Sequence, residues 1–396
     1  MKIQSRTNIA VIGAGASGLI TAITAKQINP SLNITVFEKN DKLGRKILAS
    51  GNGRCNITNT TFTSKNYYGK DPKFVNSCLE RFNFEKTQKF FNDLGLILDI
   101  KDDGKVYPLS NEAKSVTKIL EQKANDLGIN FVFNYIVEDI KYENTKFIIN
   151  NKIFDKLVIS TGLQASPQLG STNDGLKFAK FFNHNIIKPY PALVGLEIDA
   201  PICSRLFGVK LYSEVSLYIN NQLKTVVKGD VLFTKYGVSG FAILDISTLA
   251  SYQLSNNQNV QININLLPLY TRAQLLKLLA NIQKNNSYKS IEDILVGLIP
   301  LKLINIVSSN SIKQTVNNLQ NMRFEISSTH GFKHAEASGG GVDTSQINSQ
   351  TMQSKNIDNL YFTGETLDIV GHRGGYNFAF AWASGYCAGL HISEEK

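Results

Sequence analysis

Short apolar runs and amphipathic stretches alternate along the chain, and their period predicts a sequence of elements. Asn8–Ile12 is a continuous apolar run of strand length that leads straight into Gly13-Ala14-Gly15-Ala16-Ser17-Gly18. From Ser17 to about Ile28 the apolar positions take a helical period, and Asn33–Phe37 then reads as a second strand ending at Glu38. Helical periods return at Pro72–Arg81, Phe84–Leu94 and Asn111–Leu127, with Asn111 expected as an N-cap, while "DDGKVYPLS" reads as a turn and short strand. Strand patterns follow at Phe131–Asn134, Val137–Tyr142 and Lys146–Asn150, and Lys156–Ser160 reads as a buried strand running into Thr161-Gly162. Past Pro189 and Pro191 the pattern alternates in "LVGLEID", "EVSLYIN" and "LKTVVKG", then turns helical across Thr271–Leu319. The chain closes with a strand at Asn359–Phe362, a second glycine-rich turn and a helix from about Gly375 to Ile392. The economical topology is an α/β protein whose first domain both opens and finishes the chain around an insertion.

Composition narrows the class. With 396 residues the chain exceeds the size at which one core stops growing, so two or three domains are expected. A hydrophobic share of 42% against 19% charged fits a folded chain, and its longest apolar runs are too short for a membrane span, so no membrane partner is expected. Lys2 and Arg6 ahead of "NIAVIGAGASGLI" imitate a signal peptide, but a glycine every two or three residues argues against one. Cys55, Cys78, Cys203 and Cys387 are widely spaced and show no metal-ligand pattern, which suits reduced thiols in a cytoplasmic protein without structural metal. The sequons at Asn56 and Asn59 are then chance matches. The net charge of +10 has two readings: a polyanionic partner, or simply a lysine-rich solvated surface.

The first glycine cluster has the spacing of a dinucleotide site. Gly13 permits the tight turn, Gly15 lets a pyrophosphate approach the backbone, and Gly18 lets helix and strand pack closely. The helix start, with Ala14 and Ser17 in the turn, offers N–H groups and its positive dipole end to phosphates. Glu38 lies where a carboxylate accepts from ribose hydroxyls. A second feature points to FAD: Gly364-Glu365-x-x-Asp368 follows the last strand, and Gly371-His372-Arg373-Gly374-Gly375-Tyr376-Asn377 opens the last helix. A helix N-terminus aimed at the flavin pyrimidine ring would stabilise the negative charge that reduction places there. The plainer alternative for this turn is a glycine loop capping an ordinary helix. Only one GxGxxG exists, so NADH or NADPH would dock transiently as electron donor.

The blocks "GRKILASGNGRCNITN", "DDGKVYPLSNEA", "LGSTNDG", "GDVLFTKYGVSG", "ASGGGV" and "NLYFTGETLDIVGHRGGYNFAFAWASGYCAG" resemble the BaiN/RdsA family of FAD-dependent oxidoreductases over essentially the whole chain. That resemblance implies a discontinuous FAD-binding Rossmann-like domain (1–190 and 335–396), an inserted β-rich domain (191–270) and a helical subdomain (271–334). It also implies three chemistries: reduction of a uridine in 23S ribosomal RNA to dihydrouridine, oxidation of a small amino ketone, and reduction of a conjugated steroid enone. The chain departs from the family at Lys235, where histidine is more usual, at Phe241, where proline is usual, and at Leu163, where a second glycine is commoner. The first two weaken the case for a catalytic histidine in the inserted domain.

Candidate cofactor contacts follow: Gly13, Ala14, Gly15, Ser17, Gly18, Glu38, Lys39, Arg45, Lys46, Ser50, Gly51, Asn52, Gly53, Asn56, Val137, Thr161, Gly162, Gly364, Glu365, Asp368, Gly374, Gly375, Tyr376 and Asn377. Arg45 and Lys46 would meet phosphates, and Gly51 and Gly53 would bring backbone to the flavin. Two residues are candidates for the proton donor. Cys55 sits beside Arg54, whose charge would lower its pKa, although a packed thiol is as good a reading. His372 adjoins the flavin-facing turn, and an imidazole is the side chain suited to proton transfer near neutral pH, although it could merely fix that turn by a hydrogen bond. The leading function is reduction of an rRNA uridine. A small-molecule amine oxidase or enone reductase, and a flavin-carrying RNA-binding factor with little turnover, are the alternatives.

Overall fold

The computed structural model describes residues 7–394, so Lys2 and Arg6 lie outside the described residues. The chain up to Pro189, together with Ala337 onward, forms one compact unit, and Tyr190–Glu336 forms a second. At the heart of the first unit is a five-stranded parallel sheet in the order Leu360–Phe362, Lys156–Ile159, Asn8–Ile12, Asn33–Phe37, Asn130–Val132. The late strand Leu360–Phe362 therefore pairs beside Lys156–Ile159, with Val158 opposite Tyr361. The inner strands are mainly apolar and buried beyond their first residue, as a sheet covered on both faces requires.

The first helix, Ala16–Ile28, is buried from Ser17 to Ala25, far more than an amphipathic surface helix would be. Its small residues explain this. The last helix, Tyr376–Ser393, packs along it, and Thr21 Oγ1 donates to the Gly385 carbonyl at 3.1 Å. A β-carbon on Gly385 would collide with the Ser17 carbonyl oxygen, and one on Gly389 would lie 2.7 Å from Thr24 Cβ. The single tryptophan, Trp382, is fully buried in this helix and donates from Nε1 to the Ile57 carbonyl at 2.9 Å.

The second unit is a seven-stranded antiparallel sheet in the order Met322–Glu325, Val260–Asn265, Lys210–Ile219, Gln222–Phe233, Gly237–Ser239, Leu196–Glu197, Ser328–Thr329. The segments 191–270 and 271–334 share one apolar cluster here, with Leu275, Leu279, Leu295, Leu303, Val316 and Leu319 packed with Val215, Phe233 and Ile262.

Several expected elements are placed differently. Asn111 takes a left-handed conformation (φ 56°), and the helix runs Ala113–Asp126 from Glu112, which supplies no side-chain cap. Val137–Ile140 is unpaired, and the strand starts only at Lys141. Pro72–Phe74 forms a 3₁₀ turn before the helix Val75–Arg81. The helix Phe241–Ser255 and the strands Val260–Asn265 and Met322–Glu325 were not anticipated by the periodicity.

Replacing Gly385 with alanine is expected to lower stability by about 1–3 kcal/mol, because the added carbon meets main chain that cannot rotate away. Gly297, where a β-carbon meets nothing within 4 Å, is the control. Urea unfolding followed by Trp382 fluorescence measures both, and equal midpoints for the two variants would refute the packing argument.

Candidate functional site

Four parallel strands end on the same side of the sheet, and the segments that leave them carry much of the chemistry anticipated from sequence. Gly13 follows Ile12, Glu38 follows Phe37, Ser160–Gly162 follow Ile159, and Thr363–Glu365 follow Phe362. Ligands of open α/β sheets bind at the carboxyl ends of strands where the order reverses, and the strand Asn8–Ile12, flanked by Asn33–Phe37 and Lys156–Ile159, stands at such a point.

The three glycines of the first turn divide their roles by the space around them. On Gly13 (φ 104°) a β-carbon would lie 2.6 Å from the Ser160 carbonyl oxygen, and on Gly18 it would strike the Gly13 carbonyl oxygen. Both are packing glycines. On Gly15 the same carbon meets nothing within 4 Å, so the backbone there faces open space. Gly15 is also the N-cap of the first helix, which has no side-chain cap and no acid in its first turn. Such a helix start leaves main-chain N–H groups and the positive end of the helix dipole facing that space.

Glu38 is buried to 8% exposure beside that turn. The Ala14 N–H donates to its Oε2 at 2.9 Å, and the Asn40 N–H and Nδ2 donate to Oε1 at 2.9 and 2.6 Å. Asn40 in turn accepts from Arg45 Nη1 at 3.0 Å, and Arg45 Nη2 lies 3.4 Å from Asp41. Arg45 thus braces the loop behind Glu38. Lys46 pairs with Glu365 at 2.6 Å, and Glu365 also accepts from the Ser338 N–H at 2.7 Å. Lys39 donates to Thr172 Oγ1 at 3.2 Å, and burial holds its ammonium below the usual lysine range. The Gly162 N–H donates to Thr366 Oγ1 at 3.2 Å, and Thr161 Oγ1 to the Gly162 carbonyl. A β-carbon on Gly364 would lie 2.6 Å from Ser17 Oγ, so this turn presses on the start of the first helix.

The crossover loop is strained. Gly51, Asn52, Gly53 and Cys55 all have φ between 55° and 82°, and residues 51–54 are exposed. Ser50 Oγ donates to the Ile47 carbonyl, and Asn56 Oδ1 accepts from the Val106 N–H. Arg54 donates from Nε to the Gly51 carbonyl and stands 5.1 Å over the Tyr107 ring. Cys55 lies at 0% exposure, and burial pushes its thiol up to about 12. The expected lowering by Arg54 is therefore reversed: the cation stays at the surface while the thiol turns into the core.

The second glycine turn is closed on itself. The Gly371 N–H donates to Asn377 Oδ1 at 2.8 Å, and Asn377 Nδ2 donates to the Gly371 carbonyl at 3.0 Å. Asn59 Nδ2 donates to the Gly374 carbonyl, and Gly375 (φ 99°) is the N-cap of the last helix, again without a side-chain cap or an acid in the first turn. The His372 N–H donates to the Asn66 carbonyl at 2.8 Å, and its half-buried ring lies 5.0 Å from that of Tyr68 and 6.2 Å from that of Tyr376. Partial burial raises the Tyr376 phenol. Val137 is buried in the loop that follows Asn130–Val132.

The sequence profile of the HI0933-like protein Rossmann domain matches residues 7–391. The chain belongs to the HI0933-like family. Its similar relatives include the 3-dehydro-bile acid delta(4,6)-reductase of Clostridium scindens, 31% identical over 405 residues and covering 98% of this chain and 99% of the relative. The ribosomal RNA dihydrouridine synthase of Haemophilus influenzae is also 31% identical, over 416 residues, covering 97% and 98%. Among solved structures, 3-ketosteroid delta1-dehydrogenase from Sterolibacterium denitrificans, in complex with 1,4-androstadiene-3,17-dione, shares the fold with a TM-score of 0.51 at 11% identity, covering 97% of this chain and 99% of that one.

Sequence reasoning singled out Asp368 but missed Asp343, the acid that shares a lysine with it. Asp368, 1% exposed, accepts from the Lys70 N–H at 2.8 Å, and Asp343, 3% exposed, pairs with Lys70 Nζ at 2.8 Å. Burial raises Asp368. Asp343 is lowered, because hydrogen bonds from Lys70 and Ser345 outweigh its own burial. Asp343 directly follows the "ASGGGV" block, which is the one sequence signal that marks it. Among the described residues no cluster of His, Cys, Asp or Glu could hold a metal ion, and no helix is long and apolar enough to cross a membrane.

Burial also sets an alkaline limit. Cys55 and Cys387 are both held at about 12, against about 9 when unfolded. Above pH 9 the unfolded chain loses thiol protons that the folded chain keeps, so stability falls as pH rises. Each thiol contributes up to about 1.4 kcal/mol per pH unit until its folded pKa is reached. Urea midpoints between pH 8 and 10.5 should fall less steeply in Cys55→Ala than in the parent. Parallel slopes would show that the thiol does not carry the effect.

Proposed function

We propose that the chain is an FAD-dependent oxidoreductase that reduces a carbon–carbon double bond conjugated to a carbonyl, and that its substrate is a uridine of 23S ribosomal RNA, converted to dihydrouridine. The observation that carries the cofactor assignment is the open space over Gly15 at an uncapped helix start, beside the buried Glu38 carboxylate. This donor set fits a dinucleotide: N–H groups and a dipole for the pyrophosphate, an acid for the ribose. FAD, when bound and reduced by NADH or NADPH, supplies the hydride.

The relatives' printed names support the class of bond. A delta(4,6)-reductase of a 3-oxo steroid and a uridine reductase both act on an enone-like system, in which hydride enters at the carbon β to the carbonyl. In uridine that carbon is C6, charge moves onto O4, and C5 takes the proton. His372 is the proposed donor of that proton, since its ring stands half-buried on the glycine turn while Cys55 is sealed and protonated. The uncapped last helix, starting at Tyr376, would stabilise negative charge developing nearby. The net charge of +10 favours the polyanionic substrate over a steroid, and a base has to leave its stack to be reduced, which single-stranded RNA makes less costly.

Mass spectrometry of ribosomal RNA from cells with and without the gene tests the substrate: dihydrouridine should disappear at one position on deletion, and unchanged levels would sink the RNA reading. His372→Gln should keep its flavin absorbance and lose about 10²–10⁴-fold in kcat. Gly15→Leu should purify folded but colourless, whereas a full flavin complement in it would overturn the placement of the pyrophosphate.

A further inference from the structure

In the second unit three aromatic rings form a column with no part in the chemistry above. The Tyr236 and His330 rings lie 3.6 Å apart at 9° between planes, and His330 and His334 lie 4.1 Å apart at 22°. Two rings cannot share one imidazole face at these distances, so Tyr236 and His334 take opposite faces of His330. The inner end is fixed. A β-carbon on Gly195 would lie 2.5 Å from Tyr236 Oη, so the phenol rests against bare main chain, and the His330 N–H donates to the Gly195 carbonyl at 2.9 Å. His330 Nδ1 is 3.2 Å from Glu197 Oε1, and Glu197 Oε2 accepts from Ser328 Oγ at 2.5 Å. The outer end is solvent: His334 is exposed, on a 3₁₀ turn, Phe332–His334, that follows Gly331 (φ 78°).

We propose that this column is a nucleobase-stacking subsite for single-stranded RNA, an assignment that rests on the RNA reading above. A ladder of two parallel rings ending in a third, exposed one presents a flat face of the size and polarity that a base stacks on. Metal ligation does not fit these histidines. Stacked face to face, their ring nitrogens run parallel instead of converging on a point, and His330 Nδ1 is already engaged by Glu197. The neighbours suit a phosphate-bearing ligand: exposed Lys333 adjoins His334, and exposed Lys235 adjoins Tyr236, its Nζ 5.4 Å above the Phe207 ring. Slight desolvation on the ring column, with His330 and Lys333 nearby, lowers the His334 imidazole below the usual histidine range. Stacking is tolerant of sequence and lost when the strand is paired.

The shared chemistry, a base with an attached phosphate, also describes the adenine end of a free dinucleotide, and the test separates the two sources. Anisotropy of a fluorescein-labelled, mixed-sequence RNA dodecamer is titrated with the flavin-loaded full chain. His334→Ala is expected to bind the single strand about tenfold more weakly, the size of one lost stacking contact, while His334→Phe retains parental affinity and both keep their flavin. Recovery in the phenylalanine variant assigns the effect to the ring and not to charge. Affinity of His334→Ala within about twofold of the parent overturns the column as an RNA contact. Loss of NADPH affinity in His334→Ala with RNA affinity unchanged also overturns it, in favour of the free nucleotide. If ribosomal dihydrouridine depends on the gene and His334→Ala still binds RNA normally, the column alone falls. If the parent protein binds no RNA and dihydrouridine is independent of the gene, the RNA reading falls with it.

Discussion

The first unit depends on how little room there is around Ser17. This residue lies in the first turn of the first helix, where the Gly364 turn presses on its hydroxyl and Gly385 of the last helix on its carbonyl, while Gly18 beside it draws the helix down onto Gly13 and Ser160. A β-carbon on Gly18 or Gly385 would displace main chain, and one on Gly364 would strike the Ser17 side chain. The contact joins the start of the chain to its end, and it brings the Gly364–Glu365 turn to the same strand ends that hold Gly15 and Glu38. The insertion of a whole second unit between those ends leaves this geometry intact, because the parallel pairing of Lys156–Ile159 with Leu360–Phe362 closes the sheet across it.

Around that contact, the acids of the proposed site are already supplied with donors. Glu38 holds N–H groups from Ala14 and Asn40, Glu365 holds Lys46 and Ser338, and Asp368 and Asp343 share Lys70. Such carboxylates are fixed before any ligand arrives and do not have to reorganise to receive one. Arg45 and Lys46, read from sequence as phosphate contacts, are held here by Asn40, Asp41 and Glu365.

What could be read in advance follows from which forces are local. The strands Asn8–Ile12 and Asn33–Phe37 lie where their apolar runs place them, since burial on both faces leaves a continuous signal. The glycine spacing likewise carries its own geometry. Asn111 misled because an asparagine that suits an N-cap suits a left-handed turn equally well, and here the turn prevails. The helix Phe241–Ser255 was hidden because it is buried against the strands Lys210–Ile219 and Gln222–Phe233, which blurs the polar stripe that periodicity needs. Cys55 could not be placed from its neighbour in sequence: a left-handed φ of 60° sends adjacent side chains to opposite environments, and only the folded loop decides which one is buried. The partnership of Lys70 with two acids almost three hundred residues away leaves no local trace at all.

The clasp between Asn377 and Gly371 leaves the glycine-rich turn with its side-chain amide used up on its own backbone. In the proposed site such a turn offers a rim of main chain in a fixed conformation beside the partly exposed side chains of His372 and Arg373. Peptide groups cannot be exchanged by point mutation, so in the proposed site a change of substrate would fall to side chains such as His372 and Arg373 and to residues facing the turn. A family whose members carry names as different as a steroid reductase and an RNA-modifying enzyme, at the same identity to this chain, is what such a division between an inherited rim and variable surroundings would leave behind.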